Sequence, residues 1–337
     1  MVDFSVVVCT YNGAARLPAV LAALRSQQQT DTFGWEILIV DNHSQDATAT
    51  VVQDYQQIWP EPVALRYAFE PRQGLAYARR CAIQTVQAEW VGFIDDDTVP
   101  ASDWVSAAYR FAQQHPTIGA YGSEILGDYA VEPPPGFQRI ASCLAVIERG
   151  SHPFAYARHR GVLPAGAGMV IRRQAWLSAV PDEPKLTGVC AQSVRAKGED
   201  IETLSYLRQR GWTIWHNPQM RLFHRIPQAR LERPYLLTLF HSIGSSRYPL
   251  RMMHYASWQR AGMTLLYAAS DLRKLLLHLV VTRQLFALDV VTACERRLLL
   301  SSLFSPIYYW QTQTRGWIAR WLVALLPDLS IDKLFHA

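Results

Sequence analysis

Three consecutive carboxylates, Asp95, Asp96 and Asp97, follow a short apolar run that begins at Trp90. The run is β-prone and lacks a helical period, so it predicts a buried strand with the carboxylates at its carboxyl end. In an open α/β sheet, ligands bind in the crevice outside those strand ends. Adjacent acids repel one another, and a hard divalent cation such as Mg²⁺ removes that conflict while keeping coordination positions open for phosphates. The alternative interpretation is a solvated acidic turn.

Two earlier strand-like runs also end in polar turns. The run ending at Val8 is followed by Cys9-Thr10-Tyr11-Asn12-Gly13, and the run ending at Val40 is followed by Asp41-Asn42-His43-Ser44. Strand and helix patterns alternate from residue 4 to residue 115, which predicts a mostly parallel sheet covered on both faces. The three polar turns should therefore lie along one sheet edge, where a nucleotide would bind. The first strand is not followed by GxGxxG or a Walker A loop, so a metal and basic side chains must meet the phosphate charge.

Two later stretches carry further candidate residues. Glu199 and Asp200 follow Gly198 in the first turn of a predicted helix, near the positive end of its dipole. The functional hypothesis is a general base at the mouth of the cleft, and the alternative is an ordinary acidic helix N-terminus. Two short apolar runs then follow, Trp212 to Trp215 and Met220 to Phe223, and His224 ends the second. This histidine is a ligand candidate only if it faces the aspartate cluster.

The segments between these stretches are less regular. Residues 127–161 contain Pro133-Pro134-Pro135-Gly136 and predict a long loop or insertion. The pattern from Pro164 to Ile171 predicts a turn of small residues followed by an apolar segment. The glycines of the turn could admit a ligand close to the backbone, or they could allow a strand to bend and pack against its neighbours.

Length and charge suggest two regions. The chain has 337 residues, half of them hydrophobic, which allows one large or two medium domains and excludes global disorder. Residues 230–337 hold 13 Lys/Arg against 6 Asp/Glu, whereas residues 1–229 hold 20 against 22. We therefore predict a catalytic domain over 1–229 and a basic helical region over 230–337.

In the basic region, leucine-rich helical patterns interleave with Arg273, Lys274, Trp258 and Trp310. This mixture favours helices that lie on an anionic membrane surface; a helical subdomain or a dimer interface is the alternative. The longest uncharged stretch, residues 298–314, contains polar side chains and Pro306, so we expect no membrane span. Nucleic-acid binding is not expected, because the arginines alternate with leucine stripes instead of forming one polar basic face.

The five cysteines are scattered and form no CxxC pair, so neither a zinc site nor a disulfide framework is indicated. A reduced compartment fits best, and the first residues do not resemble a signal peptide. We expect a cytoplasmic protein, peripheral on the inner face of the cell membrane.

Five motifs together resemble the family 2 glycosyltransferases of GT-A fold, over roughly residues 4–226. In chain order they are Val6-Val7-Val8-Cys9-Thr10-Tyr11-Asn12, Ile39-Val40-Asp41-Asn42-His43-Ser44-Gln45-Asp46, Gly74-Leu75-Ala76-Tyr77-Ala78-Arg79, Phe93-Ile94-Asp95-Asp96-Asp97 and Gly198-Glu199-Asp200. Each motif is weak alone, and their common order carries the resemblance.

The resemblance implies a role for each matching residue. It assigns nucleotide binding to the first three motifs and to part of the acid triplet: Thr10, Tyr11, Asn12, Asp41, Arg79, Asp95 and Asp96, with the role of Asp96 left open. Asp97 would bind the metal, Mg²⁺ or Mn²⁺, and His224 resembles a late histidine that some members add to the metal or diphosphate site. Asp200 would be the catalytic base, with Glu199 beside it.

The implied activity is inverting transfer of a sugar from a nucleoside-diphosphate donor, a UDP-sugar by expectation, to a hydroxyl of a glycan or lipid-linked acceptor. Such a reaction would serve polysaccharide or glycolipid assembly. Two alternatives stay open at this point. One is a sugar-phosphate nucleotidyltransferase, although no glycine-rich basic loop occurs early in the chain. The other is a catalytically silent, membrane-associated binding protein of the same fold.

Overall fold

The computed structural model describes residues 2–157, 162–188, 197–282 and 289–311. The chain forms two compact units, residues 1–236 and residues 237–337, which are considered separately below. The catalytic and membrane-binding roles predicted for the regions on either side of residue 229 stay predictions.

A sheet organises the first unit, and nine of its strands lie within the described residues. Its strands are β1 Phe4–Thr10, β2 Trp35–Asp41, β3 Ala64–Phe69, β4 Trp90–Asp95, β5 Thr98–Pro100, β6 Ala120–Tyr129, β7 Phe154–Ala155, β8 Met169–Arg172 and β9 Ile214–Ile226. Their order across the sheet is β3-β2-β1-β4-β8-β6-β9-β5, and β7 pairs with β9.

The first four strands form the parallel part of the sheet. β1 pairs in parallel with β2 and with β4, and β2 pairs in parallel with β3. Every residue of β1 and β2 is buried, as expected for continuous apolar runs covered on both faces. The register places Thr10 opposite Asp41 and Cys9 opposite Asp95. The polar turns that follow these strands therefore meet at one edge of the sheet.

The rest of the sheet is mixed. β8 pairs antiparallel with β4 and β6, β5 pairs antiparallel with β9, and β6 pairs in parallel with β9. The two short apolar runs predicted near Trp212 and Met220 belong to a single 13-residue strand, β9. A register shift opposite Ser123 and Glu124 lets β9 continue through the polar stretch around Pro218.

Helices cover both faces of this sheet, as the alternating pattern predicted. The helices of the first unit are α1 Leu17–Arg25, α2 Thr48–Gln57, α3 Leu75–Thr85, α4 Trp104–Gln114, α5 Arg173–Ala179, α6 Glu199–Gln209 and α7 Gln228–Leu231. Side chains of α1, α2 and α4 pack in one hydrophobic core, and those of α3, α5 and α6 pack in a second core. The apolar faces of the sheet are thereby removed from water, which is the main force that holds these layers together.

The segment predicted to be irregular, 127–161, begins as the end of β6 and continues as two short 3₁₀ turns, Phe137–Arg139 and Ala141–Leu144. Phe137 and Leu144 are buried, so the turns are anchored to the body of the unit. Residues 158–161 of this segment lie outside the described residues.

The described part of the second unit is helical. Helix α8, Arg233–Ser245, crosses the boundary between the units, and α9 Arg247–Met252, α10 Arg260–Thr282 and α11 Val290–Leu303 follow it. Within the ranges that the structure describes, no helix combines the length and apolar character needed to cross a bilayer. The last three residues of the uncharged stretch 298–314 lie outside those ranges.

Candidate active site

The middle aspartate of the triplet, Asp96, joins the ends of β1 and β4. Its Oδ2 accepts a hydrogen bond from Thr10 Oγ1 at 2.5 Å. The Arg16 guanidinium donates to both carboxylate oxygens, from Nε at 2.9 Å and from Nη2 at 2.8 Å. Arg16 also donates from Nη2 to the Tyr11 carbonyl at 3.0 Å. Asp96 therefore orders the turn that carries Thr10 and Tyr11.

Gly13 makes this close packing possible. A Cβ atom at Gly13 would lie 1.9 Å from Thr10 Oγ1 and 2.8 Å from Asp96 Oδ2, well inside any allowed contact. The glycine of the Tyr11-Asn12-Gly13 turn is thus required by space. Its φ is not in the left-handed region, whereas Asn12 has φ 49°.

The predicted nucleotide-binding residues Asn12 and Asp41 hold the neighbouring loop in place. Asn12 Oδ1 accepts from the Gln45 backbone N–H at 2.8 Å. Asp41 is buried, and its two oxygens accept from the Ser44 backbone N–H and from the Tyr67 hydroxyl, both at 2.8 Å. Burial and the hydrogen bond to Asp41 raise the pKa of Tyr67 to about 12, so Tyr67 is a neutral donor at ordinary pH. Asp41 is positioned at the sheet edge, and its contact with the base of a nucleotide stays a prediction.

Arg79 connects the acid triplet to the start of α6. Its guanidinium is buried, with Nη1 3.1 Å from Glu199 Oε1 and Nη2 3.7 Å from Asp95 Oδ1. Residues 79 and 199 are far apart in the chain, yet this buried arginine pairs with carboxylates of both segments. A buried guanidinium needs such partners, because an unpaired charge in the interior is strongly unfavourable.

The two carboxylates that pair with Arg79 have perturbed protonation equilibria. Burial and the charge of Asp200 raise the pKa of Glu199 to about 7, against the opposing effect of Arg79. Burial likewise raises the pKa of Asp95 to about 6, with Arg79 opposing and Asp97 and Asp96 adding to the rise. Asp95 still has about a third of its side chain open to solvent, so a ligand can reach it. Shifted pKa values of this kind concentrate at functional sites.

Asp200 lies in the first turn of α6, as predicted from Gly198, which has φ 109°. Its Oδ2 accepts from the Gly166 backbone N–H at 2.8 Å, and its Oδ1 accepts from the Ile201 N–H at 2.8 Å. The carboxylate is half-buried, and each oxygen keeps a lone pair for a further donor. Asp200 is therefore fixed in orientation and can still accept a hydrogen bond from a further donor, and its role as a catalytic base stays a prediction.

The glycine-rich turn supports both Arg79 and Asp200. A Cβ at Gly166 would lie 2.3 Å from Arg79 Nη2, so only glycine lets the backbone approach the guanidinium this closely. A Cβ at Gly168, whose φ is +69°, would collide with Leu222 and Ser123. The structure thus agrees with the interpretation of a bend packed against its neighbours, and the close approach of a ligand to these glycines stays a prediction.

The third aspartate, Asp97, faces His224 and Arg230. Its Oδ2 lies 2.7 Å from Arg230 Nη1 and 3.6 Å from His224 Nε2, and Arg230 Nη1 lies 3.1 Å from the same histidine nitrogen. His224 thus faces the aspartate cluster, which is what a role as a ligand requires. Burial alone would raise the pKa of Asp97, but the contact with His224 and the charge of Arg230 outweigh it and lower the pKa to about 2.

Asp97 and His224 suit a divalent cation in type and position. A carboxylate oxygen and an imidazole are ligands that Mn²⁺ accepts, and Mg²⁺ commonly uses one or two carboxylates together with substrate phosphates. The His224 nitrogen that faces Asp97 is Nε2, which lies 3.1 Å from Arg230 Nη1, so a cation held by Asp97 and His224 would have to replace this guanidinium between them. Over the described residues, no cluster of three His, Cys, Asp or Glu side chains could hold a metal by itself. A metal here would need oxygen ligands from the substrate or from water.

A cavity of about 530 Å³ opens beside Asp96 and Asp97. Its polar lining includes three arginines, Arg16, Arg225 and Arg230, and its apolar lining comes from α1 and from the end of β9. The cavity is large enough for part of a nucleotide-sugar and places guanidinium groups next to the metal-binding candidates.

The motifs did not reveal Arg16, Arg230 or Tyr67. Arg16 could have been suspected as the first cation after the polar turn Thr10-Tyr11-Asn12, and Arg230 as a cation six residues after His224. Neither signal is specific in a sequence with 33 basic residues. The pairing of Tyr67 with Asp41 depends on the register of neighbouring strands, which the sequence did not specify.

Comparison with known proteins agrees with this architecture. Residues 5–160 match the model of the family described as glycosyl transferase family 2. The succinoglycan biosynthesis protein ExoM of Rhizobium meliloti is 22% identical over 236 residues, which cover 68% of this chain and 69% of that protein. An uncharacterized glycosyltransferase of Haemophilus influenzae is 31% identical over 114 residues, or 34% of this chain and 36% of that protein. The YfnE glycosyltransferase of Bacillus subtilis, also uncharacterized, is 28% identical over 30% of this chain, and the match spans only a quarter of its own length.

Two solved structures show the same fold. A mannosyltransferase from Pyrobaculum calidifontis, in complex with GDP-Man and Mn²⁺, superimposes with a TM-score of 0.53 at 17% identity, covering 98% of this chain and 76% of that chain. Residues 1–349 of S. aureus TarS, in complex with UDP-GlcNAc, superimpose with a TM-score of 0.51 at 13% identity, covering 92% of each chain. The prediction of a GT-A-type fold, an α/β sheet flanked by helices with a helical C-terminal region, is confirmed. The resemblance to the family 2 glycosyltransferases, predicted from the sequence motifs, is confirmed by the family-model match over residues 5–160.

Proposed function

We propose that this protein is an inverting glycosyltransferase that moves a sugar from a nucleoside-diphosphate donor to an acceptor hydroxyl. The observation that carries the proposal is the position of Arg79, which pairs with Asp95 beside the metal-binding candidate and with Glu199 beside the candidate base. An inverting displacement needs a base near the reacting carbon, on the face opposite the leaving group. The buried Arg79 contact holds the two segments that would supply these functions in one site.

In this proposal Asp200 removes the proton from the acceptor hydroxyl. The N–H groups of Gly166 and Ile201 hold its carboxylate and leave a lone pair on each oxygen for that proton. Arg79 balances the charge of Glu199 next to it, and the raised pKa of Glu199 reduces repulsion between the two acids. No covalent nucleophile is required.

Asp97 and His224 would hold Mg²⁺ or Mn²⁺, and the bound ion would neutralise charge that develops on the leaving diphosphate. We place the diphosphate beside the cavity lined by Arg16, Arg225 and Arg230. Thr10, Tyr11, Asp41 and Asp95 would surround the nucleoside. Asp96 acts indirectly in this account, since Arg16 and Thr10 already use both of its oxygens.

The donor is proposed to be a UDP-sugar, and the acceptor a glycan or a lipid-linked glycan in polysaccharide or glycolipid assembly. The similarity to a succinoglycan biosynthesis protein supports the acceptor class. Solved proteins of this fold hold UDP-GlcNAc or GDP-Man, so an experiment must determine which base the donor of this protein carries. We further propose that the basic region after residue 229 binds an anionic membrane surface on the cytoplasmic face.

A panel of nucleotide-sugars, measured by thermal shift and by donor hydrolysis with and without Mn²⁺, tests the proposal. A donor at a hundredfold excess over its Kd should stabilise the protein by about 2.7 kcal/mol, and UDP-sugars should do so only with the metal. Hydrolysis or transfer separates an enzyme from a silent binding protein. A protein that binds no nucleotide-sugar under either condition would contradict the proposed function.

A further inference from the structure

Helix α10 has its polar contacts on the inside and its apolar residues on the outside. Asp271 and Leu275 are its buried residues. Asp271 accepts two hydrogen bonds from Arg251, at 2.6 and 2.9 Å, and a third from Ser302 Oγ at 2.9 Å. Arg251 also lies over the ring of Tyr267, 4.6 Å from its centroid. The second unit therefore anchors α10 through a buried polar network centred on Asp271, together with the buried Leu275.

The opposite side of α10 is an exposed apolar stripe. It consists of Leu265, Leu266, Leu272, Leu276, Leu277, Val280 and Val281, each between 46% and 78% exposed. At about 100° of rotation per residue, these side chains spread over roughly half of the helix circumference, on the side away from Asp271 and Leu275, and the exposed Arg273 lies within that half. From residue 265 to residue 281 the stripe runs about 24 Å along the helix axis. A mostly apolar surface of this length, interrupted by Arg273, favours contact with another apolar phase.

The charges around the stripe favour a lipid surface over a second copy of the chain. Arg260, Arg273 and Lys274 are the exposed charged residues of α10, and the acid of this helix, Asp271, is buried. A symmetric contact between two such helices would bring like charges together. Anionic headgroups would instead complement the basic side chains while the leucines enter the acyl boundary. Trp258, just before the helix, is 82% exposed and suits the headgroup region.

We infer that the apolar stripe of α10 is the surface that enters an anionic membrane, with the helix lying parallel to the bilayer. This inference rests on the membrane association proposed above and specifies the residues responsible for it. Helix α10 is not apolar enough to span a bilayer. Its inward polar network keeps the apolar side facing outward before any lipid is bound.

Vesicle flotation of the full-length protein tests the inference, using phosphatidylcholine vesicles with and without phosphatidylglycerol. The wild type should float with the anionic vesicles and much less with the neutral ones. The double variant Leu272→Gln/Leu276→Gln should reduce the bound fraction roughly tenfold or more, because buried methylene groups drive insertion. Arg273→Gln/Lys274→Gln should weaken flotation mainly at low salt.

A matched control replaces exposed apolar residues of the first unit. Ile58 and Leu177 are 59% and 54% exposed, so Ile58→Gln/Leu177→Gln removes similar side chains without touching α10. This variant should float like the wild type. All variants should keep the wild-type circular dichroism and melting temperature.

Each contrary outcome has a separate meaning. A wild type that stays out of every vesicle fraction would contradict the proposed membrane association itself. Equal flotation of the wild type and Leu272→Gln/Leu276→Gln would leave that association standing and overturn the assignment to α10. A dimeric wild type that becomes monomeric in this variant would make the stripe an interface between copies. A markedly lower melting temperature of the variant would show that another part of the chain covers the stripe, and this too would overturn the inference.

Discussion

The variant Gly166→Ala should displace the guanidinium of Arg79 while leaving its charge in place. The new Cβ of Gly166→Ala would lie 2.3 Å from Arg79 Nη2 and 2.8 Å from Cζ, whereas ordinary contacts begin near 3.4 Å. The guanidinium or the turn must therefore move by about 1 Å. Arg79 is 3% exposed and is held by Glu199 and Asp95, so it has little room to yield. The Gly166 N–H that fixes Asp200 would move with the turn.

The expected effect is larger on catalysis than on folding. Overpacking of this kind costs about 1–3 kcal/mol of unfolding free energy. Misplacing a catalytic group by about 1 Å can reduce turnover roughly 100-fold. Steady-state kinetics with the preferred donor should therefore show kcat/KM lower by about two orders of magnitude, and urea unfolding should show the smaller stability loss.

Two further variants make the measurement specific. Gly262→Ala lies in α10 with open space around the new methyl group, and should be neutral or stabilising by up to about 1 kcal/mol. In an Arg79→Lys background the stability cost of Gly166→Ala should shrink, because the guanidinium that the methyl group strikes is gone. Wild-type kcat/KM and wild-type stability in Gly166→Ala would refute the assigned contact between the turn and Arg79.

Three further predictions concern the carboxylates. Asp97→Asn should abolish the difference in nucleotide affinity between Mn²⁺ and EDTA, measured by calorimetry, and a retained metal effect would remove Asp97 from the metal site. Asp96→Asn should raise KM for the donor several-fold and lower stability by roughly 1 kcal/mol, because Arg16, its ion-pair partner, is 42% exposed and solvent partly screens the pair; an unchanged KM would argue against the ordering role. Burial raises the pKa of Glu199 from 4.5 to about 7, so its contribution to stability is complete below pH 4.5 and is lost as pH rises through 7. Glu199→Gln should flatten that part of the stability profile in urea titrations, and an unchanged slope between these pH values would contradict the raised pKa.

Local patterns predicted the parallel half of the sheet. The apolar runs of β1, β2 and β4 are short, continuous and bounded by polar turns, so their burial and order follow from composition. The same runs placed Thr10, Asp41 and Asp95 at one edge, as the register shows. β9 was read as two fragments, although Met220 to Ile226 alternate between buried and exposed positions as a half-covered strand does.

Contacts between distant segments could not be predicted in the same way. The pairing of Arg79 with Glu199 joins residues 120 positions apart, and no local pattern specifies such a pair. The contact of Arg230 with Asp97 depends on how α7 returns to the sheet after β9. The basic character of the second unit was evident, but the inward position of Asp271 was not, because it depends on Arg251 and Ser302 from other helices.

The most direct test of the proposed mechanism is the turnover of Asp200→Asn. The substitution keeps the shape of the side chain and removes the base, so kcat should fall about 10²–10⁴-fold. Donor affinity should change little, because Arg79, Asp97 and the strand ends that would bind the donor are untouched. Single-turnover kinetics with saturating donor and acceptor, alongside donor binding by calorimetry, measures both quantities. Near-normal turnover in Asp200→Asn would contradict the assignment, and Glu199 would then be the first residue to test as the base.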